Sequence, residues 1–171
     1  MANRMSIDAA HKSWWQTFEV VFGFPFLAAI ALQLAMPFSL SRGFLTPAIT
    51  LAGAALIIVG AVLVVLARRE FAQHGQPTDP GHPTSKVVTT GVFSVSRNPL
   101  YLGGVCVLAG IALAVNLPWV FVLLLPALVA CHYVLIAPEE RYLAAKFGEE
   151  YDRYVATVHR WIGRARIPRA R

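Results

Sequence analysis

The chain has 171 residues, of which 57% are hydrophobic and only 14% charged, and its formal net charge is +6. That balance excludes an ordinary soluble domain, where roughly a quarter of residues are charged. The basic excess calls for no nucleic-acid partner, because a cytoplasmic face lying against anionic headgroups accounts for it more simply.

Taken in chain order, the first apolar run covers residues 20–38. It is longer than the roughly 7–15-residue core of a cleaved signal and has no A-x-A site after it, so the segment is expected to be retained. Further apolar runs follow at 47–67, 99–115 and 118–137. Each is close to the ~20 residues that cross a bilayer core of roughly 30 Å, which predicts four transmembrane helices, the third short enough for its ends to reach the headgroups. Between the second and third lies the main loop, 68–98, broken by Pro77, Pro80, Gly81, Pro83 and Gly91. A loop of that length in a small protein is usually functional or disordered.

Past Ala137 the chain turns amphipathic. Leu143, Phe147, Tyr151, Tyr154, Val155 and Val158 recur at helical spacing, with Glu140, Arg141, Lys146, Glu149, Glu150 and Arg153 opposite. Gly148 interrupts this pattern and predicts two short helices at or under the membrane surface. With the N-terminus inside, fourteen of the fifteen basic residues fall on one side and only Arg42 on the other. The expected architecture is therefore an all-α integral membrane protein: one domain over 1–171, about four transmembrane helices and a C-terminal amphipathic helical segment. Both termini are expected to be cytoplasmic, in the inner membrane of a prokaryote.

The polar residues carry the chemistry. Thr89-Thr90-Gly91-Val92-Phe93-Ser94-Val95-Ser96-Arg97-Asn98-Pro99-Leu100-Tyr101 runs straight from a polar stretch into the third apolar segment. Here Asn98 suits a helix cap, Pro99 a first turn and Arg97 an interfacial anchor. The same helix N-terminus offers free N–H groups and partial positive charge to an anionic ligand group. Tyr101 also fits an aromatic belt. Pro138-Glu139-Glu140 reads as a helix start with acids in its first turn. The topology brings those acids to the membrane face where Arg97 lies, so they suit a cationic or hydroxyl-bearing group while Arg97 takes an anionic end.

Elsewhere the signals are weaker. His74 and His82, with Asp79 between them, lack HExxH or CxxC spacing, and no metal is expected. His132, inside the fourth helix, should face the bundle interior, where a core hydrogen bond is favoured over catalysis. Cys106 and Cys131 read as small buried hydrophobes. Gly53, Gly60, Gly110 and Ala114 permit close helix packing, within one chain or between chains, and leave the oligomeric state open. No G-x-G-x-x-G follows a strand, and there is no convincing strand for it to follow.

Four pieces stand in order within residues 83–161: Val87-Val88-Thr89-Thr90-Gly91-Val92-Phe93, then Arg97-Asn98-Pro99-Leu100-Tyr101, then Glu139-Glu140, then Phe147-Gly148-Glu149-Glu150-Tyr151 with Tyr154. In this order and spacing the chain resembles the membrane-embedded isoprenylcysteine carboxyl methyltransferase family and, more loosely, the related phospholipid methyltransferases. The resemblance implies S-adenosylmethionine as cofactor, bound without a Rossmann domain at the cytoplasmic surface of the C-terminal half. By motif, Ser85, Lys86, Val87, Val88, Phe93, Arg97, Asn98, Pro99, Leu100, Tyr101, Glu139 and Glu140 would form the cofactor site. The implied reaction is direct methyl transfer to an oxygen, nitrogen or sulfur of a lipophilic small-molecule or lipid acceptor that enters from the bilayer.

The chain departs from the family pattern twice. The usual histidine of R-H-P-x-Y is Asn98 here. The arginine that eukaryotic members carry shortly before the paired glutamates has no basic counterpart in Tyr133-Val134-Leu135-Ile136, which argues against a prenylcysteine carboxylate as acceptor. Two other classes remain open. An NADPH-dependent membrane reductase of steroid-reductase-like type shares a similar polar motif but needs more basic contacts for its phosphates. A non-enzymatic membrane protein would use Arg97 and Glu139 only as anchor and cap.

Overall fold

The computed structural model describes residues 17–77 and 84–164, and among these the regular structure is helical, with one isolated β-bridge between Val158 and Arg164. A π-helical turn, Glu19–Gly23, leads into α1, Phe24–Ala35. That helix stops short of the expected residue 38 because Met36 precedes Pro37, whose ring drives it out of the helical region to φ −133°, ψ 76°. A 3₁₀ turn, Gly43–Leu45, opens α2, Thr46–Gln73, which runs six residues past the expected end at 67 and makes Arg68, Arg69 and Glu70 helical. Helix α3, Pro99–Val115, has the expected bounds and ends at Asn116, in the left-handed region at φ 58°.

The largest departure from expectation is in the C-terminal half. Residues 138–140 do not start a helix. The helical path already runs through α4, Pro118–Ala130, and a π segment, Cys131–Ile136, into α5, Ala137–Phe147. Pro138 tolerates this because the turn before it is widened, with the Ala137 N–H reaching back five residues to the His132 carbonyl. A proline ring presses on the carbonyl four residues earlier and supplies no N–H, and a π turn absorbs that misfit. The same device precedes Pro25, two residues after the other π turn. Pro126, by contrast, is taken up within regular α4. Gly148, at φ 53°, then ends the path and starts α6, Glu149–Thr157, as the sequence pattern predicts.

Helix α2 packs along α3, and α1 along α4. The first seam is made of glycine. Gly53 faces Gly110 and Gly60 faces Gly103, an antiparallel match at heptad spacing, so the small residues serve packing within one chain. A Cβ on Gly103 would lie 2.7 Å from the Gly60 carbonyl oxygen, and one on Gly110 would lie 2.6 Å from that of Gly53. Only hydrogen at these positions lets the two backbones meet.

Two buried clusters flank α3. Val21, Phe22, Ala127, Cys131, Leu135 and Ile136 join the two π turns, with Tyr101 against them. Ala67, Val88, Phe93, Tyr151, Tyr154 and Val158 form the second, with Leu100 against it. The stretches Gly43–Gln73 and Pro118–Phe147 are long and apolar enough to cross a membrane, while Glu19–Ala35 and Pro99–Val115 are shorter apolar helices. Leu51, Ile58, Val59, Val62 and Leu125 lie exposed on the outside. An apolar exterior of this extent suits hydrocarbon and not water.

Candidate functional site

The polar site is built where α3 begins. Gly91, at φ +54°, starts a 3₁₀ turn, Gly91–Ser94, and a Cβ there would collide with the Glu70 carboxylate. Glu70 accepts from the Thr90 hydroxyl at 2.8 Å and Phe71 lies against Phe93, ring centroids 4.8 Å apart, so the end of α2 holds this turn in place. From the other side, α6 fastens it through the Tyr154 hydroxyl, which donates to the Phe93 carbonyl at 2.7 Å. The irregular stretch after the turn carries Arg97 and Asn98 to the mouth of α3.

A C-terminal hook closes on that stretch. The His159 N–H donates to the Gly163 carbonyl and the Gly163 N–H to the Val95 carbonyl, each at 2.8 Å, and the Arg97 N–H donates to the His159 carbonyl at 3.1 Å. Asn98 Nδ2 donates to the Arg160 carbonyl at 3.1 Å, and the Asn98 N–H to Ser96 Oγ at 3.1 Å. Asn98 thus stands at the N-cap position but does not cap with its side chain, which holds the hook instead. This corrects the capping role expected from sequence. The free N–H groups of the first turn of α3 are left to other partners.

The charged groups meet beside this mouth. Glu140 on α5 sits between two guanidiniums: Arg97 Nη1 at 2.9 Å from Oε1, and Arg160 with Nε at 3.0 Å from Oε1 and Nη2 at 2.7 Å from Oε2. The fork from Arg160 is bidentate, the strong geometry for a guanidinium and a carboxylate. The hydrogen bond to Glu140 pushes the Arg160 pKa up, so its charge is permanent. Arg160 Nη1 also lies 3.4 Å from His132 Nδ1, on the π segment. Because arginine has no acceptor, a hydrogen bond there needs the tautomer in which His132 Nδ1 carries the lone pair. Tyr151 Oη lies 3.4 Å from Arg97 Nη1, and burial pushes its pKa up, keeping the phenol neutral. Glu139 has a different setting. It accepts from the Tyr101 hydroxyl at 3.2 Å and, among the described residues, makes no ion pair. Tyr101 is in turn stacked by Phe18, ring centroids 6.4 Å apart.

Of the residues singled out from sequence, Arg97, Asn98, Pro99, Tyr101, Glu139 and Glu140 come together here, and Leu100 turns from the same α3 mouth toward the second cluster. Val88 and Phe93 are buried in that cluster with Val87 against it, behind the mouth of α3. Ser85 is clasped by the buried Gln76, its N–H donating to Oε1 at 2.8 Å and its hydroxyl accepting from Nε2 at 2.7 Å, while Lys86 is exposed. His74 binds back to its own helix at the Glu70 carbonyl, 2.9 Å away. Asp79 and His82 lie outside the described residues, and among those described no metal-ligand cluster forms.

Sequence reasoning counts Arg160 only among the fourteen basic residues of one membrane side and puts Tyr151 on an apolar face, and so misses both. Contacts between residues 97, 140 and 160 leave no local spacing signal, because the fold alone brings them together. An apolar cleft lined by Phe22, Phe26, Leu108, Val120, Leu124 and Ala127 opens deeper between α1, α3 and α4, away from the carboxylates.

No curated protein and no solved structure matches the chain. The phospholipid methyltransferase family does match, over residues 48–150, from the first turns of α2 to the start of α6. That span is more than half of the chain and includes the glycine seam, Arg97, Tyr101 and both glutamates. The match assigns this chain to the phospholipid methyltransferase family, and so to the methyltransferases, in keeping with its two helices long and apolar enough to cross a membrane.

Proposed function

We propose that the protein transfers a methyl group from S-adenosylmethionine to a lipophilic, membrane-borne acceptor at the mouth of α3. The observation that carries this is the unequal state of the paired acids and the arginine beside them. Arg97 is 11% exposed and its Nε–H is buried with no partner among the described residues, while Glu140 takes its other end. Glu139, bound only through Tyr101, keeps a carboxylate for a cation. A buried donor with no partner among the described residues and an acid bound only to a phenol, both beside the mouth of α3, fit the two ends of an amino-acid zwitterion, the α-carboxylate and α-amino groups of this cofactor.

When bound, S-adenosylmethionine supplies an activated methyl on a sulfonium, open to in-line displacement by a nucleophilic oxygen, nitrogen or sulfur. The protein's own part is positioning. Arg97 and the first-turn N–H groups of α3 hold the anionic end. Glu139 holds the ammonium, with the Tyr101 hydroxyl fixing its carboxylate orientation. Tyr101, stacked by Phe18, and the apolar walls of α3 and α4 keep the reacting centre dry, and alignment of the two partners lowers the barrier. Val87, Val88 and Phe93 shape the back of the pocket from the second cluster, with Ser85 and Lys86 at its polar edge. The R-N-P-L-Y and paired-glutamate motifs support a place near the isoprenylcysteine carboxyl methyltransferases within the family. The one-sided distribution of basic residues supports a cytoplasm-facing site in a four-span protein.

Calorimetric titration of detergent-purified protein with S-adenosylhomocysteine, and separately with NADPH, tests this reading. Saturable binding of S-adenosylhomocysteine alone, weakened at least tenfold by Glu139→Gln, is expected. Binding of NADPH alone makes the protein a reductase, and binding of neither returns Arg97 and Glu139 to structural roles.

A further inference from the structure

Two neighbouring glycines of α3 have different duties. Gly103 faces α2 across the glycine seam, whereas a Cβ on Gly104 would run into the ring of Phe18. The bare backbone at Gly104 is thus the bed on which Phe18 lies, at the entry to the π turn before α1. From there Phe18 meets two further rings. Phe22 has its centroid 4.7 Å away, and Tyr101 lies nearly parallel, at 18°, with its centroid 6.4 Å away. Phe18 and Tyr101 are both half-buried, so packing leaves part of each ring open. Tyr101 also carries the hydroxyl that binds Glu139. Two aromatic rings and a carboxylate with no ion pair among the described residues therefore share one side of the α3 mouth, while the guanidiniums gather at Glu140. Where the fold does place a cation on an aromatic face, it sets Lys146 over Tyr142 and Phe147; among the described residues none lies over Phe18 or Tyr101. An aromatic face attracts a cation, the more strongly where water is kept out. Phe18 also lies outside residues 48–150, so the family match gives it no role.

We propose that the faces of Phe18 and Tyr101 seat the sulfonium of the cofactor and so make the site selective for its charged form; this rests on the methyltransferase reading above. A short methylene chain separates the sulfonium from the ammonium assigned to Glu139. The Tyr101 ring begins one bond from the hydroxyl that Glu139 accepts, so the two cations meet adjoining parts of one surface of acid and aromatic groups. When the methyl passes to a lone pair of the acceptor, the electrons of the broken S–C bond stay on sulfur, which becomes a neutral thioether. The rings then lose their hold on it, and the spent cofactor leaves more readily than the unreacted one. Phe18 binds the cation and takes no part in the bond that forms or breaks.

Calorimetry on the full-length protein in dodecyl maltoside compares two ligands that differ at this position. Sinefungin has a protonated amine in place of the sulfonium methyl, and S-adenosylhomocysteine has a neutral sulfur. Sinefungin should bind about tenfold more tightly. Phe18→Leu, which keeps apolar bulk without a π face, should bring the two affinities within about threefold by weakening sinefungin, with S-adenosylhomocysteine changed by less than about twofold. Phe18→Tyr should keep the preference. Gly104→Ala, which pushes the ring off its bed, should lower the preference as Phe18→Leu does, and should lower it no further in the Phe18→Leu protein. Tyr101→Phe keeps both rings but releases Glu139, and should weaken both ligands together. A merely structural part for Phe18 would change both affinities alike. Equal affinities in the wild type, or an unchanged preference after Phe18→Leu, overturn the seat and leave the methyltransferase reading standing. Binding of neither ligand overturns that reading and the seat with it.

Discussion

Glu139 and Glu140 are neighbours of identical chemistry, and their surroundings give them opposite work. The helical twist turns Glu140 toward Arg97 and Arg160, where it cancels charge, and turns Glu139 toward Tyr101, where it stays available. Glu140→Gln leaves the largely buried Arg97 beside Arg160 without a counter-ion. Breaking a fully buried pair costs about 3–5 kcal/mol. With Glu140 20% exposed and Arg160 more so, the expected loss is about 2 kcal/mol, or about 5 °C in a detergent melting curve. Glu139→Gln should shift the same curve by less than about 1 kcal/mol, because the hydrogen bond with Tyr101 survives. Equal melting shifts for the two variants would contradict this division of roles.

At the scale of elements, the α2–α3 seam is the most demanding contact. Gly60 and Gly103 leave no room for a methyl group, and the obstruction is backbone, which cannot swing aside as a side chain does. Gly60→Ala is expected to cost about 1–3 kcal/mol as an overpacked contact, and Gly60→Leu to separate the helices. Gly23 supplies the control, since a Cβ there meets nothing within 4 Å. Gly23→Ala should be neutral or raise the melting temperature slightly, by the helix propensity of alanine. A Gly60→Ala protein as stable as Gly23→Ala would mean that the two helices do not meet so closely. The other element-level lesson concerns proline. The sequence patterns that predict a helix start at Pro138 apply when the preceding residues are irregular. Here the π turn at Cys131–Ile136 keeps the helix continuous and carries both glutamates to the middle of a long element.

For the whole molecule, among the described residues, each short apolar helix lies along a longer helical path, α1 along the α4 part of Pro118–Phe147 and α3 along α2. At 1.5 Å per residue, a 17-residue helix such as α3 spans about 25 Å, less than a ~30 Å hydrocarbon core. In the proposed four-span arrangement, packing against a longer partner shields the ends that fall short. The proposed orientation can be read by labelling. In a Cys106→Ala, Cys131→Ala background, Arg42→Cys should react with a membrane-impermeant maleimide in intact cells. Lys86→Cys should react only in inside-out vesicles. Labelling of Lys86→Cys from outside would reverse the membrane sidedness of the site.

The sequence by itself determined the membrane class, the bounds of α3, the break at Gly148 and six residues of the polar cluster. These depend on composition, on local backbone chemistry at glycine and proline, and on motif order, all of which are written along the chain. Only the tertiary structure decided that α4 and α5 are one path, that Asn98 holds the hook and does not cap α3, that the glycines pair within one chain, and that Arg160 reaches Glu140 and His132. For the last three the physical reason is common: a guanidinium, an amide or a bare backbone chooses its partner by distance in space, and the partner here lies 20 to 62 residues away along the chain. The first turns on a widened turn of backbone hydrogen bonds, which no side-chain pattern in the sequence marks.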